Sequence, residues 1–148
     1  INLSGQTLND ETFSRFVFNY MEESEIPPEK ICFEITETAA ISNLAKTGRL
    51  IRNLKKEGCQ FALDDFGSGM SSYAYLKHLP VDYIKIDGIF VRDLVDDPID
   101  LALVNSINEV AHILNKKTIA EYVENDDMIL AIIDPGIDYQ HPDLQGSL

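Results

Sequence analysis

One repeated unit constrains this chain more than any other feature. A short apolar run stops at an acid or an amide, and a stretch with apolar residues at helical spacing follows. Asn2-Leu3-Ser4-Gly5 reads as a strand end running into a loop. Ile31-Cys32-Phe33-Glu34-Ile35-Thr36-Glu37 reads as a strand ending in acids. Phe61-Ala62-Leu63 is a buried strand bounded by Gly58 before it and by Gly67 and Gly69 after it, and it runs into Asp64-Asp65. Tyr83-Ile84-Lys85-Ile86-Asp87 and residues 118–124 complete the set. Between the strands, apolar spacing predicts helices over 8–24, 42–57, 71–79, 98–114 and 128–133, with Gly58 stopping the second and Pro80 the third.

Strict alternation of this kind implies parallel strands joined by right-handed crossovers, in an open doubly wound sheet or in part of a (β/α) barrel. The polar residues collect at one place in each unit, the C-terminal end of the strand: Asn2, Glu34, Asp64 with Asp65, Lys85 with Asp87, and Glu121. In a barrel all such ends open on one face, which carries the chemistry. An open sheet uses mainly one crevice. Consecutive polar ends favour the barrel, so the expected fold is α/β, a partial TIM-like barrel of about five to six β/α units that does not close.

Two neighbouring aspartates at a strand end are costly to bury unless a cation meets them. Capping of the helix predicted from Ser71 explains one of them and not both. One asparagine oxygen, the carboxylates and a lysine make a hard, oxygen-rich set suited to Mg²⁺ or Mn²⁺. No cluster of His and Cys supports zinc, and His78 and His112 fall on predicted helices. Adjacent side chains on a strand diverge, so one of Asp64 and Asp65 is expected to reach a second ion or to bridge two. Two ions roughly 3.5–4 Å apart activate water and stabilise both oxygens of a displacement at phosphorus. Lys85, between Ile84 and Ile86, points away from them and into the barrel. There it either holds the attacking water and offsets phosphoryl charge, or pairs structurally with Asp64 or Asp87. Glu34 and Glu121 end otherwise apolar strands and read as ligands. Glu37 and Glu124 read as ligands, solvated loop acids or helix N-terminal acids.

The formal net charge of −13 over 148 residues argues against a nucleic-acid polymer as partner, because no basic stripe is available to neutralise phosphates. Cys32 and Cys59 open apolar runs and read as small buried residues of a reducing, cytoplasmic setting. No window is long and apolar enough for membrane insertion.

The motifs Asn2-Leu3-Ser4, Glu34-Ile35-Thr36-Glu37, Asp64-Asp65-Phe66-Gly67-Ser68-Gly69-Met70-Ser71-Ser72, Lys85-Ile86-Asp87 and Ala120-Glu121-Tyr122-Val123-Glu124 stand in the order and spacing of EAL domains. The chain resembles these bacterial cyclic di-GMP phosphodiesterases over about residues 1–127. The resemblance implies a TIM-like barrel that hydrolyses cyclic di-GMP to the linear dinucleotide with Mg²⁺ or Mn²⁺. It implies Asn2, Glu34, Asp64, Asp65 and Glu121 as metal ligands and Lys85 as the residue that positions or helps activate the water. It implies Glu37 as the acid that steadies the loop after Asp65, tied to substrate and dimer contacts. Glu124 resembles a supporting acid near the metals, with Asp87 beside the site. A homodimer and an upstream regulatory or sensor domain are further expectations of the family.

The chain also departs from the family's pattern. The Glu-Ala-Leu tripeptide is absent, so the resemblance reads the domain as N-terminally truncated, with the first strands and one metal ligand upstream. Tyr122 stands where the family has glycine, and its side chain is expected to crowd the loop beside Glu121 and the second metal. Met70 stands where the family usually has tyrosine. The segment from Ile132 to Gly146 also resembles the catalytic-aspartate segment of subtilisin-like proteases, with Asp134 lacking its triad partners. The expected organisation is a partial EAL domain over 1–135 and a divergent or fused tail over 136–148. The alternatives to catalysis are an inactive module that binds cyclic di-GMP or a protein, and a non-functional fragment.

Overall fold

A computed structural model describes residues 1–68 and 73–133. Five parallel strands form one sheet in sequential order: β1 (Asn2–Leu3), β2 (Cys32–Thr36), β3 (Gln60–Phe66), β4 (Tyr83–Ile86) and β5 (Lys117–Ala120). The helices are α1 (Gly5–Leu8), α2 (Phe13–Ser24), α3 (Glu37–Ser42), α4 (Leu44–Lys56), α5 (Gly88–Val91), α6 (Pro98–Ile113) and α7 (Asp126–Ile133). Short 3₁₀ turns lie at Pro28–Lys30 and Tyr73–Lys77. This is the α/β alternation expected, an incomplete (β/α) barrel. Among the described residues no helix is long and apolar enough to cross a membrane.

Side-chain period separates the two faces of the sheet. Phe33 and Ile35 of β2, Phe61 and Leu63 of β3, and Ile84 and Ile86 of β4 are buried against the helices. Glu34 and Lys85, one step out of phase, point to the opposite face. Register carries that face across the sheet: Asn2 lies beside Glu34, Thr36 beside Asp64, and Lys85 beside Ile119, two residues before Glu121. The core between sheet and helices includes Leu50, Ile51 and Leu54 of α4 and Val104, Ile107 and Ala111 of α6. Local signals set the helix ends. The Asn43 side chain accepts from the Lys46 N–H to open α4, and Gly58, at φ 107°, follows its end. Asp97 accepts from the Ile99 N–H at 2.8 Å, with Pro98 opening α6.

Several boundaries differ from the sequence reading. The helix predicted from residue 8 starts at Phe13. Asp10 Oδ1 accepts from the Thr12 N–H at 2.8 Å and the Thr12 hydroxyl at 2.7 Å, a local turn that parts α1 from α2. β2 stops at Thr36, whose hydroxyl caps α3, so Glu37 opens a helix instead of ending a strand. β3 continues through Asp64 and Asp65 to Phe66. β5 stops at Ala120, because Tyr122 takes a left-handed backbone at φ 56°. Of the helix predicted over 71–79, the described part is the 3₁₀ turn from Tyr73. The Met70 departure, Asp134 and the boundary at 136 lie outside the described residues.

Candidate metal centre

The centre begins with an irregularity in β3. Leu63 pairs with Ile84 and Phe66 with Ile86, so three steps of β3 oppose two of β4. The extra residue is taken up where Asp65 adopts φ 54°, a left-handed conformation uncommon for any residue but glycine and least so for Asp and Asn. This bulge has two effects. It returns Phe66 to the buried face, where it is 1% exposed. It also keeps Asp65 from alternating to the far face. An oxygen of Asp65 therefore lies within 4.8 Å of oxygens from both Asp64 and Glu121. The divergence expected of neighbouring strand residues does not occur, because the bulge re-aims the second carboxylate.

Lys85 lies at the middle of this group. Its Nζ is 2.7 Å from Asp64 Oδ1, 2.9 Å from Glu121 Oε1 and 3.2 Å from Glu34 Oε2. Burial opposes its charge, but the contacts to Asp64, Glu121 and Glu34 outweigh burial and hold the ammonium well above its ordinary range. The contact to Asp64 has the distance of an ion pair without a direction suited to a hydrogen bond, and the fully buried Asp64 Oδ1 retains an unfilled acceptor. Desolvation by the surrounding chain, then the charges of Asp64, Asp87 and Glu121, push the Asp65 carboxyl up, although that residue stays solvent-exposed. Glu34, Asp64, Asp65 and Glu121 with one ammonium leave three negative charges uncompensated. A buried carboxylate oxygen with acceptor capacity to spare, in an all-oxygen, net-negative cluster, fits a hard divalent cation.

The other candidates fall around this group. Asn2 is exposed and neighbours Glu34 in the register. Asp87, one of the two structural partners considered for Lys85, instead caps α5 by accepting from the Ile89 N–H at 3.0 Å. Glu124 is exposed on the loop after β5. Glu37 is 3% exposed and faces the turn after Asp65: its Oε2 accepts from the Gly67 N–H at 3.2 Å, and its Oε1 accepts from the Tyr75 hydroxyl at 2.5 Å. Sequence reasoning missed Tyr75, which lies 38 residues from Glu37 with no periodic signal to join them. It also missed α5, whose only local sign is Asp87 before Gly88. The expected crowding by Tyr122 does not displace Glu121, which still reaches Lys85 and the two aspartates.

Comparison with known proteins bears on the fold that carries this centre. The chain is 46% identical over 139 residues to the cyclic di-GMP phosphodiesterase PdeB of Shewanella oneidensis, covering 94% of this chain and 16% of that protein. The solved EAL domain of Mycobacterium smegmatis DcpA superposes with a TM-score of 0.84 at 35% identity, covering 92% of this chain and 61% of that one. The manganese and cyclic di-GMP complex of Klebsiella pneumoniae BlrP1 superposes with a TM-score of 0.83 at 27% identity, covering 93% and 35%. The chain thus spans about a sixth of the length of PdeB. The EAL domain family matches residues 1–146. That match runs past residue 127, where the resemblance read from the motifs stopped, and through the protease-like tail. None of these similarities supports the protease reading. With the match running over nearly all its length, the chain belongs to the EAL domain family.

Proposed function

We propose that this chain forms the catalytic face of a cyclic di-GMP phosphodiesterase, hydrolysing one phosphodiester to give the linear dinucleotide. The observation that carries the reading is the convergence of Asp64, Asp65 and Glu121 oxygens within 4.8 Å, around an ammonium that cannot balance them. Asp64, Asp65, Glu121 and Glu34, with Asn2 from β1, would hold Mg²⁺ or Mn²⁺, and two ions fit the number of carboxylates. Bound there, divalent ions supply Lewis-acid activation of a water and charge stabilisation at the phosphoryl group.

The chain's own groups do the rest. Lys85, in contact with Asp64, Glu121 and Glu34, is the group that positions or helps activate the water. It orients the water oxygen and offsets charge developing on the phosphoryl oxygens. The water gives up a proton as its oxygen bonds to phosphorus, one ester P–O bond breaks, and the leaving sugar oxygen takes up a proton in its place. Glu37 fixes the turn at Gly67 and so supports the backbone that carries Asp65. Asp87 acts at a distance by starting α5, and Glu124 is read as a supporting acid near the metals. The same reading includes a homodimer, an upstream regulatory or sensor domain and a cytoplasmic location.

The test is incubation of the purified chain with cyclic di-GMP and Mn²⁺ or Mg²⁺, with the products resolved by chromatography. Linear dinucleotide that disappears in Asp64→Asn, with the fold retained by circular dichroism, is the expected result. Binding of the dinucleotide without product would refute catalysis and leave a binding module.

A further inference from the structure

The turn after β5 carries Glu121 into the cluster, and its geometry is unusual. The Glu121 N–H reaches the Ile86 carbonyl at 3.3 Å, a long bond at the end of the ladder. The next residue, Tyr122, holds a left-handed backbone at φ 56°, a conformation unfavourable for a side-chain-bearing residue. The residue is 54% exposed, but its ring rests on α5. The ring lies against Gly88 so closely that a Cβ there would fall 2.1 Å from Tyr122 Cδ2 and 2.8 Å from Cε2. The Arg92 guanidinium carbon sits 4.3 Å from the ring centroid. Gly88 opens α5 and Arg92 closes it, and α5 follows directly on β4. The ring therefore ties the end of β5 to the end of β4, the two strands whose Glu121 and Lys85 meet at 2.9 Å. A strained backbone beside a functional carboxylate, secured by packing and a cation–π contact, is the signature of a conformation kept for its position.

We propose that Tyr122 is a positioning residue: seated on Gly88 and gripped by Arg92, it fixes the turn that aims Glu121 at the metal centre. The inference rests on the metal-centre reading above. It assigns the stiffness of this turn to a side chain, where a glycine would meet the backbone requirement and provide no anchor. A purely structural role for Tyr122 alters melting temperature and leaves metal affinity alone.

Mn²⁺ affinity of the full chain, read by electron paramagnetic resonance of the free ion, separates these cases without any turnover. Tyr122→Gly is expected to weaken Mn²⁺ binding roughly tenfold, the size of effect seen when a group supporting a ligand is removed. Tyr122→Phe keeps the ring over Gly88 and beneath Arg92 and is expected to bind within about twofold of the parent. Gly88→Ala should weaken binding as Tyr122→Gly does, and the double variant should be no worse than Tyr122→Gly alone, because both changes remove one contact. Where Tyr122→Gly does not fold, Arg92→Leu carries the test with the backbone at 122 untouched. Unchanged affinity in these variants, while Asp64→Asn loses Mn²⁺, overturns the positioning role alone. Unchanged affinity in Asp64→Asn as well overturns the metal centre with it. A loss in Tyr122→Phe as large as in Tyr122→Gly also overturns the proposal, because the ring contact would then not be the cause.

Discussion

Replacing Lys85 with methionine removes the one positive charge inside the cluster and keeps most of the side chain's length. The ammonium stands 2.7 Å from Asp64, 2.9 Å from Glu121 and 3.2 Å from Glu34. At an effective dielectric of about 20 each contact has a gross attraction of roughly 5–6 kcal/mol. Most of that is offset by the cost of taking the ammonium and carboxylates out of water. Breaking such a pair by removing one partner still costs about 3–5 kcal/mol, because the surviving charges remain buried and now repel. Lys85 and Asp64 are 15% exposed, Glu121 22% and Glu34 30%, so solvent relieves part of the repulsion. The expected loss is therefore about 3 kcal/mol, the low end of that range, or roughly 6–12 °C in melting temperature for a domain of this size. The measurement is a thermal melt in EDTA and again in millimolar Mn²⁺. In EDTA Lys85→Met should melt well below the parent. With Mn²⁺ the gap should close, because a divalent ion neutralises the same oxygens, so the variant gains more from metal than the parent does. A variant that melts like the parent in EDTA, or that gains no more from Mn²⁺ than the parent, would refute the claim that Lys85 balances these carboxylates.

Three further expectations follow from particular residues. Asp65→Gly removes both a left-handed side-chain-bearing residue and an excess carboxylate, so chemical denaturation should show a gain of about 1 kcal/mol while Mn²⁺ binding, read by titration calorimetry, weakens. Tyr75→Phe deletes the hydroxyl that donates to buried Glu37 and should cost about 1.5–3 kcal/mol in the same denaturation assay; an unchanged midpoint would remove Tyr75 from the clamp on Gly67. Lys116 gives a pH dependence of definite sign. Its Nζ donates to the Leu79 carbonyl at 2.8 Å and the Val81 carbonyl at 3.1 Å, while burial, and then the Lys55 charge, push its pKa below the ordinary lysine value against the pull of Asp82. Between the depressed folded value and the ordinary one the unfolded chain holds more protons, so stability rises with pH through that window. The neutral amine still has two N–H groups for the two carbonyls. Denaturation midpoints measured across that alkaline window should climb for the parent and lose this climb in Lys116→Met.

The sequence made the parallel sheet and its working face readable wherever a strand stayed regular. In β2 and β4, Glu34 and Lys85 sit between buried neighbours, and period two alone assigns their direction. Residue type alone assigned a cation to Asp64 and Asp65. Their geometry was not readable, because the bulge that turns Asp65 inward is a mismatch between β3 and β4. A mismatch belongs to a pair of strands and leaves no periodic trace in either. Of the settings read for Glu37, the helix N-terminus holds and the strand end gives way, because Thr36 caps α3; its partners Gly67 and Tyr75 come from 30 and 38 residues away. Asp87 looked like a site acid because it ends a strand, but the backbone N–H of Ile89 takes its carboxylate first.

Two of the backbone departures share one direction: each leaves the regular element next to a charge at the C-terminal face. Asp65 and Tyr122 both take left-handed conformations, at φ 54° and 56°, on either side of Lys85 in the sheet. Each sits immediately after a carboxylate of the cluster, Asp64 in one case and Glu121 in the other. Local propensity disfavours both conformations, so the surrounding packing must impose them: Phe66 buried behind Asp65, and Gly88 and Arg92 against the Tyr122 ring. Relaxing either turn toward regular strand geometry would part the carboxylates and lower their repulsion. The fold holds them together against that tendency, and the divalent cation proposed for this site would supply the charge that makes the arrangement favourable.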